Sequence, residues 1–255
     1  MKPQDGHWDK VISGLYEAAL EPAHWQHVLP RLCEAFGCIG VTIITIDPMT
    51  GRVPIALSHG IDPSALQDYD NGVQLIDPLR VYALENPNQQ LYFEYQHTPE
   101  ESIDTSPFHQ IMEQRTGIRY RFAAQLFGAD GVVAYATLQR TRDQGHPDSE
   151  VLSMFAAFVP HLARAVRIAN RIGNLDLKAG AAMAAMQDLP MAILLLNAER
   201  QLIYKNTAAD RILDANDALT LEAGSLHALR RTDDRALREA VDAATDLRQP
   251  TGGSL

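Results

Sequence analysis

Cysteine is almost missing from this 255-residue chain, and with it go two whole classes of function. Cys33 and Cys38 sit five positions apart, so a disulfide between them would close almost no loop. Two thiols without a neighbouring His or Cys cluster do not make a zinc site. They read as buried structural thiols and fit a reducing, cytoplasmic setting. Long hydrophobic runs are missing as well. MAILLL (Met191 to Leu196) is the longest near a strand, far short of the ~18 apolar residues that span a bilayer, so no membrane partner is expected. The opening MKPQDGHWDK has no apolar core of a secretory signal. Excess positive charge is lacking too. The formal charge is −10, with 21 acidic against 14 basic residues before position 188 and 11 against 8 after it. Neither part offers the positive field that phosphate-backbone binding needs.

Catalytic signatures are equally scarce. The sequence has no glycine-rich phosphate loop, no HExxH, no GxSxG and no CxxC. His24 and His27 share a helix face, but no third metal ligand accompanies them, and a surface or packing role is expected. The carboxylate pairs Glu100-Glu101 and Asp233-Asp234 lie in polar contexts, not in a pocket that would shift their pKa values. The chain is therefore expected to be no enzyme and to hold no metal or cofactor.

What is present is a clear change of hydrophobic period along the chain. Trp8, Val11, Ile12, Leu15, Tyr16 and Ala19, then Trp25, Val28, Leu29, Leu32, Cys33 and Phe36, recur at three and four residues and predict two helices. Pro22 opens the second stretch, Pro30 should kink it and Gly37 closes it. IGVTIITID and RVPIALSHG, joined by DPMTG, predict a hairpin of about eight residues a side, with Pro54 marking an edge or a bulge. Asp62-Pro63 starts a short helix. Residues 73–104 are irregular, with an aromatic strand LYFEY and a polar loop HTPEESIDTSP. Ser106 to Gly117 reads as a capped helix. Ile118 to Phe127 alternates, with Ile118, Tyr120, Phe122, Ala124 and Leu126 on one side and Arg119, Arg121 and Gln125 on the other; GADG then turns into the partner strand VVAYATLQR. The expectation is an α+β fold on an antiparallel sheet, spanning 1–147.

Residues 148–187 keep a helical pattern for nearly 40 positions. Val151, Phe155, Phe158, Leu162, Ala165, Ala169 and Ile172 are spaced 4-3-4-3-4-3. Near-heptad spacing predicts pairing with a second copy of the chain; the other reading is an amphipathic core helix, broken at Gly173. After Pro190 the strand period returns in MAILLLN and QLIYKN. TAADRILDAN reads as a helix, LTLEAGSLHAL is ambiguous, and TDDRALREAVDAA is a capped helix. With two strands and two or three helices, 188–255 is expected to be an incomplete second domain.

Aromatic residues cluster in the middle: Tyr69, Tyr82, Tyr92, Phe93, Tyr95, Tyr120 and Phe122. Such groups line small-molecule pockets, and they equally make ordinary core.

The runs LYEAALEPAHWQHVLPRLCEAFG, IDPLR, SPFHQIMEQRTGIRY, HPDSEVLSMFAAFVPHLARAVRI and LPMAILLLNAERQLIYKNTAADRIL, in that order, resemble the N-terminal region of LuxR-type helix-turn-helix transcriptional regulators. The resemblance implies a GAF-like sensor, a connecting helix, a partial PAS-like domain, and a DNA-binding domain lying outside this chain. The middle is similar to the acyl-homoserine-lactone domain of quorum-sensing LuxR proteins, with Tyr69 eight residues before Asp77-Pro78, Phe93 where those proteins often have Trp, and Ala65 where they carry a Trp ahead of the Tyr. The aromatic cluster and this resemblance together give an expected ligand site of Tyr69, Asp77, Tyr82, Phe93, Tyr120 and Phe122, with the Asp77 carboxylate accepting from a ligand amide; the other reading of Asp77 is a turn starter before proline. The implied partners are a second copy of the chain, a small molecule, and DNA through the missing domain. A stand-alone protein-interaction module without a ligand is the other reading.

Overall fold

The computed structural model describes residues 5–46, 55–129 and 132–245. The predicted turn DPMTG with Pro54, the tip of GADG and the closing RQPTGGSL lie outside them. The chain divides into two compact units, residues 1–174 and 175–255, so the division falls inside the long helix.

In the first unit, α1 (Asp5–Leu20) and α2 (Trp25–Phe36) form where the sequence pattern places them. Pro22 stands in the first turn of a short 3-10 segment between them, and Pro30 is accommodated inside α2. Gly37 ends α2 at φ 60°, a left-handed conformation that glycine adopts without strain. Strands β1 (Gly40–Ile46) and β2 (Ile55–His59) pair antiparallel as the predicted hairpin, its turn side lying outside the described residues. Helix α3 (Pro63–Asp70) is capped by Asp62, whose carboxylate accepts from Ser64 N at 2.7 Å. Helix α4 (Pro78–Glu85) follows. The predicted strand LYFEY is only partly one: β3 (Leu91–Phe93) gives way to a 3-10 turn at Glu94–Gln96. The polar loop after it contains a helical turn, α5 (Glu100–Ile103). Helix α6 (Pro107–Thr116) ends at Gly117 as expected, but Ser106 occupies its cap position without a side-chain cap bond.

Strands β4 (Tyr120–Ala129) and β5 (Val132–Arg140) complete an antiparallel sheet in the order β2-β1-β5-β4-β3. One face is the main core. Val41, Ile43, Phe122, Ala124, Ala134, Ala136 and Leu138 pack under α1, α2 and α7 (Ser149–Gln187). Aromatic edges tie the layers together: Trp8 lies 5.2 Å from Phe36, Phe36 5.4 Å from Phe155, and Phe122 5.2 Å from Phe155. Burying this apolar surface is the dominant stabilisation of the unit.

Helix α7 is continuous through Gly173, so the predicted break does not occur. By length and composition alone it is apolar enough to cross a bilayer, although its apolar residues are interrupted by polar ones. Phe155, Phe158, Leu162 and Ala165 of the near-heptad series are consumed by the sheet; from Gly173 to Ala185 every residue is exposed.

In the second unit, β6 (Leu194–Leu196) and β7 (Leu202–Lys205) form the predicted hairpin. Helix α8 (Thr207–Ala215) is led by Asn206. The ambiguous LTLEAGSLHAL is a second hairpin, β8 (Leu219–Glu222) with β9 (Ser225–Ala228), turning on Ala223 and Gly224, both at positive φ. The count of two strands expected there is corrected to four. Helix α9 (Arg231–Thr245) follows. Fully buried Asn206 is the hub: its Nδ2 donates to the carbonyls of Met186 (3.1 Å) and Met191 (2.9 Å), and its Oδ1 accepts from Ile193 N (2.9 Å) and Ala209 N (3.0 Å).

Candidate functional site

Alternation along β4 sends odd-numbered residues to the sheet face away from the main core. Arg121 therefore points to the side covered by α4 and α6, where it is 5% exposed. A guanidinium taken out of water needs full compensation. Two carboxylates compensate its terminal nitrogens. Nη1 and Nη2 donate to Asp77 Oδ2 and Oδ1, both at 2.9 Å, a bidentate pair. Nη2 also donates to Glu94 Oε1 at 2.6 Å, and the Arg121 backbone N–H donates to Glu94 Oε2 at 2.9 Å. His109 of α6 places Nε2 2.9 Å from Glu94 Oε1; against a carboxylate that nitrogen carries the proton. Phe108 lies under the guanidinium, 4.3 Å from its carbon to the ring centre.

Asp77 is simultaneously the N-cap of α4, accepting from Leu79 N at 3.0 Å and Arg80 N at 3.3 Å, and Tyr69 of α3 donates its hydroxyl at 2.7 Å. Burial would raise the Asp77 and Glu94 carboxyls, but the Arg121 charge and its hydrogen bonds outweigh that and hold both below the ordinary range. Burial, with the Asp77 charge beside it, pushes the Tyr69 hydroxyl well up. Arg121 Nε and His109 Nδ1 are buried without a hydrogen-bond partner among the described residues.

Beside this cluster, Tyr92 of β3 is enclosed by Leu79, Ala83 and Ala123, with Tyr82 and Tyr135 against it. Its hydroxyl donates to Asn86 O at 2.9 Å, and burial raises its pKa to about 12. Across β5 and β1 the same face is half-open: Tyr135, Thr137, Thr42 and Ile44 are only partly covered. Buried Gln139, opposite Arg121 in the ladder, donates to Thr42 Oγ1 at 2.9 Å.

The six residues expected in one ligand site are not together. Tyr69 and Asp77 join the Arg121 cluster. Tyr82 stacks on His97 at 4.8 Å, on the same face. Tyr120 sits at the end of β4 with His146, 4.0 Å between rings, and donates to Glu100 Oε1 at 2.7 Å. There Arg119, 1% exposed, is ringed by Glu100, Asp104 and Glu113, and the hydrogen bonds of this group draw the Glu100 carboxyl, despite some desolvation, down to about 2. Phe122 and Phe93 lie on the opposite face, Phe122 fully buried against Phe155. The arginines read as a polar side of β4 are buried instead. The missed members are Arg121, Glu94 and His109. The one sequence signal for them was an arginine at alternate positions of an otherwise apolar strand.

No family model matches the chain, and no curated protein matches it. Among solved structures it is similar to ligand-binding domains of the LuxR family and to GAF domains. VqsR from Pseudomonas aeruginosa aligns at 15% identity over 64% of this chain and 96% of that one, with a TM-score of 0.49. The N-acylhomoserine-lactone-dependent LuxR-family factor CepR2 from Burkholderia cenocepacia aligns at 14% over 62% and 92%, TM-score 0.44. The GAF domain of a phosphoenolpyruvate-protein phosphotransferase from Coxiella burnetii aligns at 10% over 65% and 95%, TM-score 0.40.

Proposed function

We propose that the chain is the signal-sensing region of a LuxR-type transcriptional regulator. Residues 1–147 are its GAF-like sensor, 148–187 a connecting helix that pairs with a second copy, and 188–255 the beginning of a PAS-like domain. The DNA-binding domain belongs to sequence outside this chain, in keeping with the negative charge here. The protein works in the cytoplasm and carries out no reaction of its own. The observation that carries the sensing role is the second face of the five-stranded sheet. A half-open strip of Thr42, Ile44, Tyr135 and Thr137 runs beside a buried polar cluster, the mixed lining that small-molecule sites use. A ligand filling the strip would touch β1 and β5 directly, and through them α7, which packs on the reverse of the same strands.

The test is a melting curve of the whole chain with and without octanoyl-homoserine lactone, alongside native mass spectrometry of the protein as purified. A ligand that raises Tm in the wild type and fails to do so in Ile44→Trp supports the site. Equal responses in both would place binding elsewhere.

The second reading, a protein-interaction module without a small ligand, is favoured by one observation. Every acceptor position of Asp77 is already met by protein donors, and Leu75, Ile76, Val81 and Leu84 beside it are exposed. Failure of any small molecule to bind, with retained dimerisation in sedimentation, would select it.

A further inference from the structure

The second unit carries a groove that the sensing role does not use. It lies between the β8–β9 hairpin and α9 and encloses about 470 Å³. Arg231, Arg235 and Arg238 line it, at i, i+4 and i+7 of α9, the spacing that stacks side chains on one helix face. Thr220, His227 and Glu222 line the side opposite.

We propose that this groove binds a small phosphate-bearing anion. The case is a balance of donors against acceptors. Asp234, the acid at the groove's centre, is already occupied: it accepts from Arg200 Nη1 at 2.9 Å and Ala228 N at 3.2 Å, with His227 Nδ1 and Arg238 Nη2 each at 3.4 Å. Among the described residues Arg235 is paired only with Glu239, through its Nε at 2.8 Å, and both side chains are largely exposed (82% and 65%). Such a pair holds weakly, and both Nη groups stay available. No ion pair engages Arg231 among the described residues. Among the described residues no cation pairs Glu222, the other lining carboxylate. The groove therefore presents several guanidinium N–H groups and a threonine hydroxyl with little to accept from them. Guanidinium forks match phosphate oxygens two at a time. Arg231 also opens α9, so the positive end of the helix dipole adds to the same sign. The volume falls in the range of nucleotide-sized ligands. The net charge of −10 on the chain weighs against a long polyanion, which must contact charge well beyond one groove.

The experiment is titration calorimetry of the full chain at low salt, using inorganic pyrophosphate and ATP as probes. One-to-one binding with a Kd below about 1 mM is expected. Arg231→Ala and Arg235→Ala should each weaken it about tenfold, Arg235→Lys less, because charge survives while the fork is lost. Glu222→Gln should tighten it. Circular dichroism melts of the variants verify that they fold. No saturable heat with either probe overturns the proposal. So does equal binding by the Arg231→Ala and wild-type chains. A short DNA duplex that binds more tightly than ATP overturns the small-ligand assignment.

Discussion

Arg121 grips Asp77 with both terminal nitrogens at 2.9 Å, joining the start of β4 to the N-cap of α4 across 44 positions of sequence. The pair helps seat the α3–α6 layer on the sheet. The Asp77 carboxylate caps a helix and holds an arginine at once.

Removing Arg121 should therefore be costly. Arg121→Met leaves Asp77 and Glu94 buried beside each other without a cation, a loss of about 3–5 kcal/mol. The double variant Arg121→Met with Asp77→Asn should recover part of it. Urea denaturation of the four forms of the cycle measures the coupling; an additive result would mean that the pair contributes nothing beyond its separate burial.

Acid should unfold the first unit early. Asp77, Glu94 and Glu100 have folded pKa values below their unfolded ones, Glu100 at about 2. Groups of this kind contribute stability that is fully present above the unfolded carboxylate pKa of about 4 and is lost as pH falls through the folded values. Tm should thus be level near neutrality and drop steeply below about pH 4. Asp77→Asn should flatten that drop, since its share of the linkage is gone. A Tm independent of pH between about 5 and 2.5 would contradict the arrangement.

Phe122→Ala should cost about 3–5 kcal/mol, the range for a fully buried aromatic side chain. Tyr120→Phe, at the rim with Glu100, should cost about 1 kcal/mol. A ligand-site role for Phe122 would instead show as lost binding at unchanged stability, read from the same melts.

Two glycines at left-handed φ should differ sharply. A Cβ on Gly60 would meet Ile39 O at 1.8 Å, so Gly60→Ala requires the β1 backbone to move and should destabilise by more than about 3 kcal/mol. Gly117 has open space around that position, and Gly117→Ala should cost only the conformational strain of about 1 kcal/mol. Chemical denaturation distinguishes them directly.

Asn206→Ala should release the hub of the second unit. Five hydrogen-bonded backbone groups from residues 186–209 lose their partner, four of them within 3.1 Å. Losing one buried and four part-buried hydrogen bonds, at about 1 kcal/mol each, takes much of what a unit of this size can spare. Amide exchange should accelerate across β6, β7 and α8 while α1 and α2 keep their protection.

Much of this was legible in the chain. The 3.6 period predicts α1, α2 and α7, the alternation of Ile118 to Phe127 predicts β4, and Asp62, Gly37, Gly117 and Asn206 mark element ends by known chemistry. The site was not. Glu94 looks like the polar phase of a strand, whereas the backbone turns after Phe93 and swings its carboxylate inward. Arg121 looks like a solvent-facing residue because alternation says which residues share a face, not whether that face is covered. The β8–β9 hairpin was hidden by its Ala223-Gly224 turn, since alanine is a poor signal for positive φ.

The two phases of β4 carry one last implication. Its even residues are apolar, while Arg121 within it and Arg119 just before it are cations, each already matched to fixed acids. Sliding the strand by one position would bring Arg121 beneath Phe155 and present Phe122 to the paired carboxylates of Asp77 and Glu94. That alternative loses an ion cluster and a hydrophobic contact in the same movement. The buried salt bridge, a doubtful source of net stability, thereby sets the native strand alignment apart from its nearest alternative.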